Sequence, residues 1–265
     1  MLYFVGTPIG NLKDISLRAL EVLKSVDEIA CEDTRHSLGL LNAYEIKKPL
    51  TAYHKFNERE AGEKLIEKLK SGKNIAVITD AGMPVVSDPG NILTEMLIEA
   101  GLEFTVIPGA CAFVSALVLA GLDSSRFCFL GFMPQKQSER TAFLEKYKDL
   151  DMTLIFYSAP HDIKKDIESV YKVFGDRRAV AVKEITKLFE RAERFNLKDN
   201  ISGEPKGEYV LLVEGGNPQN DNLKLTEKEH IELYLSQGLD KKEALKKVAK
   251  ERGVSKSSLY KYTIE

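Results

Sequence analysis

Residues 1–35 read MLYFVGTPIGNLKDISLRALEVLKSVDEIACEDTR, and this stretch decides the fold. LYFV at 2–5 is a short run of β-formers that Gly6, Pro8 and Gly10 then interrupt. Leu17, Leu20, Leu23 and Val26 recur at helical spacing, and EIAC at 28–31 is again strand-like. Strand, loop, helix and strand in that order predict a parallel βαβ unit. Working outward, IAVIT at 75–79 and EFTVI at 103–107 continue the series, and Asn57 with Glu60 opens a helix that Gly72 closes. A second series comes after it: FCFLGF at 127–132, TLIFYSA at 153–159, AVAVKEI at 179–185 and EYVLLVE at 208–214. The break between the two falls near Gly121 to Ser125.

The expected architecture is therefore α/β, with one α/β domain over residues 1–120, a second over 121–218 and a small helical module over 219–265. GGNPQNDN is a turn-rich linker, and the residues after it read as short helices with no strand. Between Asp240 and Lys261 eight Lys or Arg stand against three acids. Ala244, Leu245, Val248 and Ala249, then Gly253 and SKSSLY, resemble a helix-turn-helix pattern. A solvated helical cap with its lysines outward fits the same residues equally well.

The chain has 265 residues, 43% of them apolar and 29% charged, enough to bury a sizeable core and far from the composition of a disordered or fibrous chain. Lys and Arg total 38 against 40 Asp and Glu, a net charge of −2, so contact with nucleic acid calls for a local basic patch. Cys31, Cys111 and Cys128 are widely spaced and form no CxxC pair, which argues against a disulfide framework or a zinc site and fits a reducing cytoplasm. The opening residues lack a basic leader, and the longest apolar stretch, Ala110 to Leu122, is well short of the ~20 residues that span a bilayer.

Glycine and proline punctuation recurs where strands end: GTPIG after the first, DAGMP after the third, PGACA after the fourth. In a parallel sheet these ends line one crevice, where small residues let backbone approach a ligand closely. GTPIG is not the GxGxxG dinucleotide pattern, and no GxxxxGK[ST] phosphate loop occurs. Charge gathers beside the same ends in EDTR at 32–35, YHKFNERE at 53–60 and the aspartates Asp80 and Asp88. That aspartate pair fits general acid and base, or simple turn and cap residues. His54 and His161 have no partners at metal-ligand spacing, so no metal is expected.

The residues through EDTR resemble the start of the tetrapyrrole methylase superfamily. The ordered set GNL, EDTR, YHKFNE, TDAGMPVVSDPG, PGACA, GFMP and KEITK is similar, more narrowly, to the ribosomal RNA small subunit methyltransferase I family. That resemblance implies S-adenosylmethionine in a cleft between two α/β domains, usually a homodimer, and methylation of the ribose 2′-oxygen of a decoding-centre cytidine in 16S ribosomal RNA. It implies cofactor loops at Thr7, Pro8 and Gly10; at Asp80, Gly82, Met83, Pro84, Val85 and Ser87; and at Ala110 and Cys111. Met133, Tyr157 and the segment from Lys183 to Lys187 would close over the cofactor. Three departures stand out: Met83 and Thr79 replace the usual Thr and Ser, Asp162 comes after His161 where Arg is usual, and Lys183 replaces a common Arg.

Methyl transfer from a sulfonium needs alignment first and a proton acceptor second. Glu184, Lys187 and Asp88 are the candidates, against readings of Glu184 and Lys187 as a plain ion pair and Asp88 as a helix cap. Candidate RNA contacts are Asn11, Arg35, His54, Asn57, Lys136, Arg140, Lys183 and the lysine-rich tail. The competing functions are a tetrapyrrole, precorrin or diphthine-type methylase on the same fold, and a ligand-sensing DNA-binding regulator.

Overall fold

The structure is a computed structural model that describes residues 1–216, 222–223 and 225–262. Its first sheet contains β1 (Leu2–Val5), β2 (Glu28–Cys31), β3 (Leu50–Ala52), β4 (Ile75–Ile78) and β5 (Phe104–Ile107), in the order β3-β2-β4-β1-β5. Every pairing is parallel, with Leu2 opposite Ile75 and Phe104, and Ile29 opposite Ala76. β2 and β4 are buried at every position, as sandwiching between helices requires. Helices α3 (Glu58–Lys70) and α4 (Asn91–Glu99) cover one face through Leu65, Leu69, Leu93 and Leu97. Helices α1 (Leu17–Ser25) and α2 (Thr34–Ala43) cover the other through Ala19, Leu23 and Leu41. Each such leucine, fully buried, contributes about 1.5–3 kcal/mol.

Asn57 does sit at the start of α3, but its Oδ1 takes the His54 N–H at 2.8 Å instead of capping the helix. The asparagine shapes the preceding turn.

The second sheet contains β6 (Phe127–Phe132), β7 (Thr153–Ser158), β8 (Arg178–Lys183), β9 (Arg191–Asn196) and β10 (Tyr209–Val213), in the order β6-β7-β10-β8-β9. Only β6 and β7 pair in parallel; β7–β10, β10–β8 and β8–β9 are antiparallel. Parallel pairing, expected for the first series, thus gives way to a mixed sheet in this half, because the short turn from Glu184 to Glu190 folds β9 straight back on β8. Strand β9, RAERFN, hides from an apolar reading because it is a charged edge strand.

Helices α6 (Gln137–Glu145) and α7 (Ile163–Phe174) cover one face of this sheet, with Leu144, Ile163, Ile167 and Val170 over Leu154, Phe156 and Leu211. The other face is covered by α5 (Ala112–Ala120), whose Ala116, Leu117 and Ala120 pack on Ile155, Val180, Val210 and Leu212. By packing, the chain changes unit at Pro108–Cys111, before α5, although the sequence break lies after it.

Beyond Gly216, α8 (Glu227–Ser236), α9 (Lys241–Arg252) and the single turn α10 (Lys256–Leu259) close a small core of Ile231, Tyr234, Leu245, Val248 and Leu259. No strand occurs there among the described residues, and most of the expected linker, residues 217–221, lies outside them. Thr226 and Glu229 form a reciprocal cap on α8. His230, fully buried, meets Glu251 at 2.9 Å through Nε2 and accepts from Arg252 at 3.0 Å through Nδ1. α10 is one turn long, short for the reading helix of a helix-turn-helix.

Candidate active site

The loops after β1, β4 and β5 meet at one end of the first sheet and are stitched together by backbone. Thr7 N–H donates to Gly82 O at 2.8 Å, Gly82 N–H returns to Thr7 O at 3.2 Å, and the buried Thr7 hydroxyl donates to Thr79 O at 3.2 Å. Gly6 and Gly109 face each other so closely that a Cβ on Gly6 would lie 2.7 Å from Gly109 N. No larger residue fits at that crossing.

Against these loops stands the second sheet, and between them opens a cleft of about 440 Å³. The first unit contributes Ile9, Asp80, Gly82, Met83, Val86, Ser87 and Asp88 to its walls, and the crossing segment adds Cys111 and Ala112. The second contributes Phe132, Tyr157, Ser158, Pro160, Glu184, Lys187 and Glu208. Size and mixed lining are those of a small-molecule site. Of the six non-glycine residues with positive φ among the described residues, four lie around this cleft: Val85 (76°), Ser87 (68°), Glu184 (51°) and Thr186 (67°). Such strain persists only where the surroundings enforce it, and it clusters at functional sites.

The two walls hold their carboxylates differently. Asp88 is half-buried, and burial, then the nearby Glu32 and Asp80, push its pKa up to about 6. Burial and Asp80 also raise Glu32, with His54 acting against them. On the facing wall burial opposes ionisation of Glu184, but the Glu208 N–H at 3.0 Å and the Lys187 ammonium at 3.0 Å outweigh it and hold that carboxyl below its usual range. Lys187 also reaches Glu208 at 3.1 Å; burial lowers its pKa, yet the two carboxylates keep it above the ordinary lysine value. Tyr157 is pushed up to about 12, chiefly by burial.

Of the cofactor residues expected from the sequence, Asp80, Gly82, Met83, Ser87, Cys111 and Tyr157 line the cleft, and so do the catalytic candidates Asp88, Glu184 and Lys187. Gly10 touches the far wall: a Cβ there would meet Lys187 Cγ at 2.5 Å. Thr7, Pro8 and Pro84 are buried behind the loops, Val85 packs against Gly90, and Ala110 sits beside Gly82. Met133 lies in the core of the second sheet rather than on the cleft. Asp88 is not a helix cap, because Gly90 holds that position on α4.

Among the expected RNA contacts, Arg35 and Lys136 are exposed and paired with Asp33 and Glu139. His54 and Asn57 build the turn after β3, Asn11 N–H donates to Thr186 Oγ1 at 3.0 Å, and Lys183 ends β8 opposite Arg191. Arg140 must be corrected. It is fully buried, ion-paired with Asp166 at 3.0 Å and donating to Pro134 O at 2.9 Å, so it anchors the loop after β6 and faces no solvent. The Asp162 departure also has local partners, His161 at 3.2 Å and Gln135 at 3.1 Å.

Sequence reasoning missed Ile9, Phe132, Ser158, Pro160 and Glu208. Ser158 ends a recognised strand and was within reach of the strand-end rule. Glu208 was not, because β10 runs antiparallel and presents its start to the cleft. No group of three or more potential metal ligands occurs among the described residues.

Comparison with known proteins places this geometry. Residues 1–200 match the tetrapyrrole (corrin/porphyrin) methylase family. Among curated proteins, the ribosomal RNA small subunit methyltransferase I of Haemophilus influenzae is 44% identical, over 99% of this chain and 95% of its own. That of Bacillus subtilis (strain 168) is 41% identical, over 98% of this chain and 92% of its own. Among solved structures, a diphthine synthase superposes with a TM-score of 0.62 at 21% identity, over 81% of this chain and 89% of its own, a likeness of fold. The chain belongs to the tetrapyrrole methylase family and, within it, to the ribosomal RNA small subunit methyltransferases I.

Proposed function

We propose that the cleft binds S-adenosylmethionine and that the protein transfers its methyl group to the ribose 2′-oxygen of a cytidine in the decoding centre of 16S ribosomal RNA. The observation that carries this reading is the interdomain cleft itself: three backbone loops facing an ion-paired wall, in a chain over 40% identical to named ribosomal RNA methyltransferases. The residues suit the cofactor. The Gly6–Gly109 crossing and Gly82 leave backbone room, Asp80 offers negative charge to a sulfonium, and Ile9, Met83 and Phe132 offer an apolar slot for a purine.

When bound, the cofactor supplies a methyl group already activated on sulfur. The chain then has to align a ribose hydroxyl, exclude water and take a proton. Asp88 is the proton acceptor: a carboxylate raised to about 6 is ionised at neutral pH yet more basic than a free one. Lys187 stays protonated and Glu184 has donors on its carboxylate, so that pair holds the second wall in place. The substrate is an assembled small subunit, the protein works in the cytoplasm, and it acts as a homodimer.

The test is transfer of label from radiolabelled S-adenosylmethionine to small subunits prepared from cells lacking the relative. Incorporation into 16S RNA is expected. Cofactor binding with no label in subunits or naked RNA would move the assignment to a small-molecule methylase.

A further inference from the structure

Phe56 is 93% exposed, more than any other large apolar side chain among the described residues. It contributes nothing to the core, and its ring is open to contact from outside the chain. The turn that carries it is locked. His54 N–H donates to Asn57 Oδ1 at 2.8 Å, Asn57 N–H to His54 O at 2.9 Å, and Asn57 Nδ2 to Ala52 O at 3.0 Å. The His54 ring stands edge-on to Phe56, centroids 6.2 Å apart. The turn is also tied to the cleft: Glu58 Oε2 accepts from Gly90 N at 3.1 Å, at the end of the loop whose Asp80–Asp88 stretch forms the first wall.

Lys55 and Arg59, on either side of Phe56, enter no ion pair among the described residues, whereas Lys64 and Lys68 on the same helix are both paired. The exposed Leu188 and Phe189 across the cleft differ: their turn is held by Glu190, and an ion-paired Lys187 precedes them. Val114 and Val118 on α5 have no cation beside them in sequence. A held aromatic side chain flanked in sequence by two cations outside any ion pair among the described residues, with Glu58 turned to the Gly90 N–H and Glu60 paired with Lys64, suits an unpaired nucleobase and its phosphates.

We propose that Phe56 is a positioning residue that stacks on an unpaired base of the RNA substrate near the target nucleotide, with Lys55 and Arg59 on the flanking phosphates. This rests on the ribosomal RNA reading above.

The test uses the full-length protein and a single-stranded RNA carrying 2-aminopurine, whose fluorescence stacking quenches. In parallel, methyl transfer to small subunits is measured. Wild type should quench the probe. Phe56→Ala should lose the quench and raise KM for subunits about tenfold, within the range of base–aromatic stacking, with kcat and cofactor affinity retained. Phe56→Trp should restore both readouts and Phe56→Leu should not. Unchanged KM in Phe56→Ala, or full rescue by leucine, overturns the proposal. So does a change of oligomeric state in Phe56→Ala, which would make this face a contact between copies. Quenching that depends on the aromatic ring, without methyl transfer by wild type, leaves stacking intact and counts against the ribosomal RNA assignment alone.

Discussion

The two walls of the cleft carry the same chemical groups in opposite states. On the first, Asp80 and Asp88 stand close together with Glu32 behind them, and no Lys or Arg ion-pairs with any of the three among the described residues. On the second, Glu184, Glu208 and Lys187 form a closed ion-pair cluster beneath a turn fixed by Thr186 and Glu190. Burial and its acidic neighbours let Asp88 take up a proton near pH 6, whereas a carboxylate paired with a cation fixes geometry. On the proposed reading the parallel half of the molecule supplies the proton acceptor and the mixed half a rigid facing wall.

The largest effect that sharpens this contrast lies behind the second wall. Arg140→Ala leaves Asp166 buried without its cation and should cost about 3–5 kcal/mol of stability by denaturant unfolding. If the folded fraction lost RNA affinity instead, Arg140 would have a surface role that its burial denies. Next is Asp88→Asn, which should lower kcat about 100-fold or more while cofactor affinity holds, the usual share of a general base. The wild-type rate should fall as pH drops through about 6, where Asp88 becomes protonated.

Gly109→Ala would put a Cβ 2.8 Å from Gly6 C and force two backbones apart. A loss of about 1–3 kcal/mol in stability is expected, with weakened cofactor binding by calorimetry. Glu184→Gln should change kcat by no more than about tenfold, since an amide oxygen can still accept from the Lys187 and Glu208 donors that now meet Oε1. A collapse in rate larger than that of Asp88→Asn would reverse the roles of the two walls.

The smallest effect concerns stability and pH. The folded state binds the Asp88 proton more tightly than the unfolded chain, because its pKa rises from 3.8 to about 6. Its favourable contribution is therefore present below about pH 4 and lost as pH rises through 6. Asp88→Asn should melt slightly higher than wild type at pH 7 and equally at pH 4. A lower melting temperature at pH 7 would mean that Asp88 is stabilised as an anion.

Most of the first wall was legible in the sequence, because local rules suffice there. Glycine and proline at consecutive ends of parallel strands bring GTPIG, DAGMP and PGACA to one edge. The second wall was harder. Its residues reach the cleft through antiparallel pairing, which presents the start of β10 and the β8–β9 turn, so no strand-end rule finds Glu208. Position along the chain also misled: α5 comes after the last strand of the first unit yet packs on the second sheet, its Ala116 and Leu117 meeting Val180 and Val210. Arg140 reads as a surface cation because sequence alone does not show that Asp166, one helix later, is buried opposite it. Phe56 does not stand out inside YHKFNERE, since exposure is invisible before the turn around Asn57 is known.

The most direct test of the account is alkaline hydrolysis of 16S RNA labelled by the purified protein. A methylated 2′-oxygen cannot attack the neighbouring phosphate, so the label is expected in an alkali-resistant dinucleotide with cytidine on its 5′ side. Label released in a mononucleotide would place the methyl group on a base, and would contradict a cleft built to deprotonate a ribose hydroxyl.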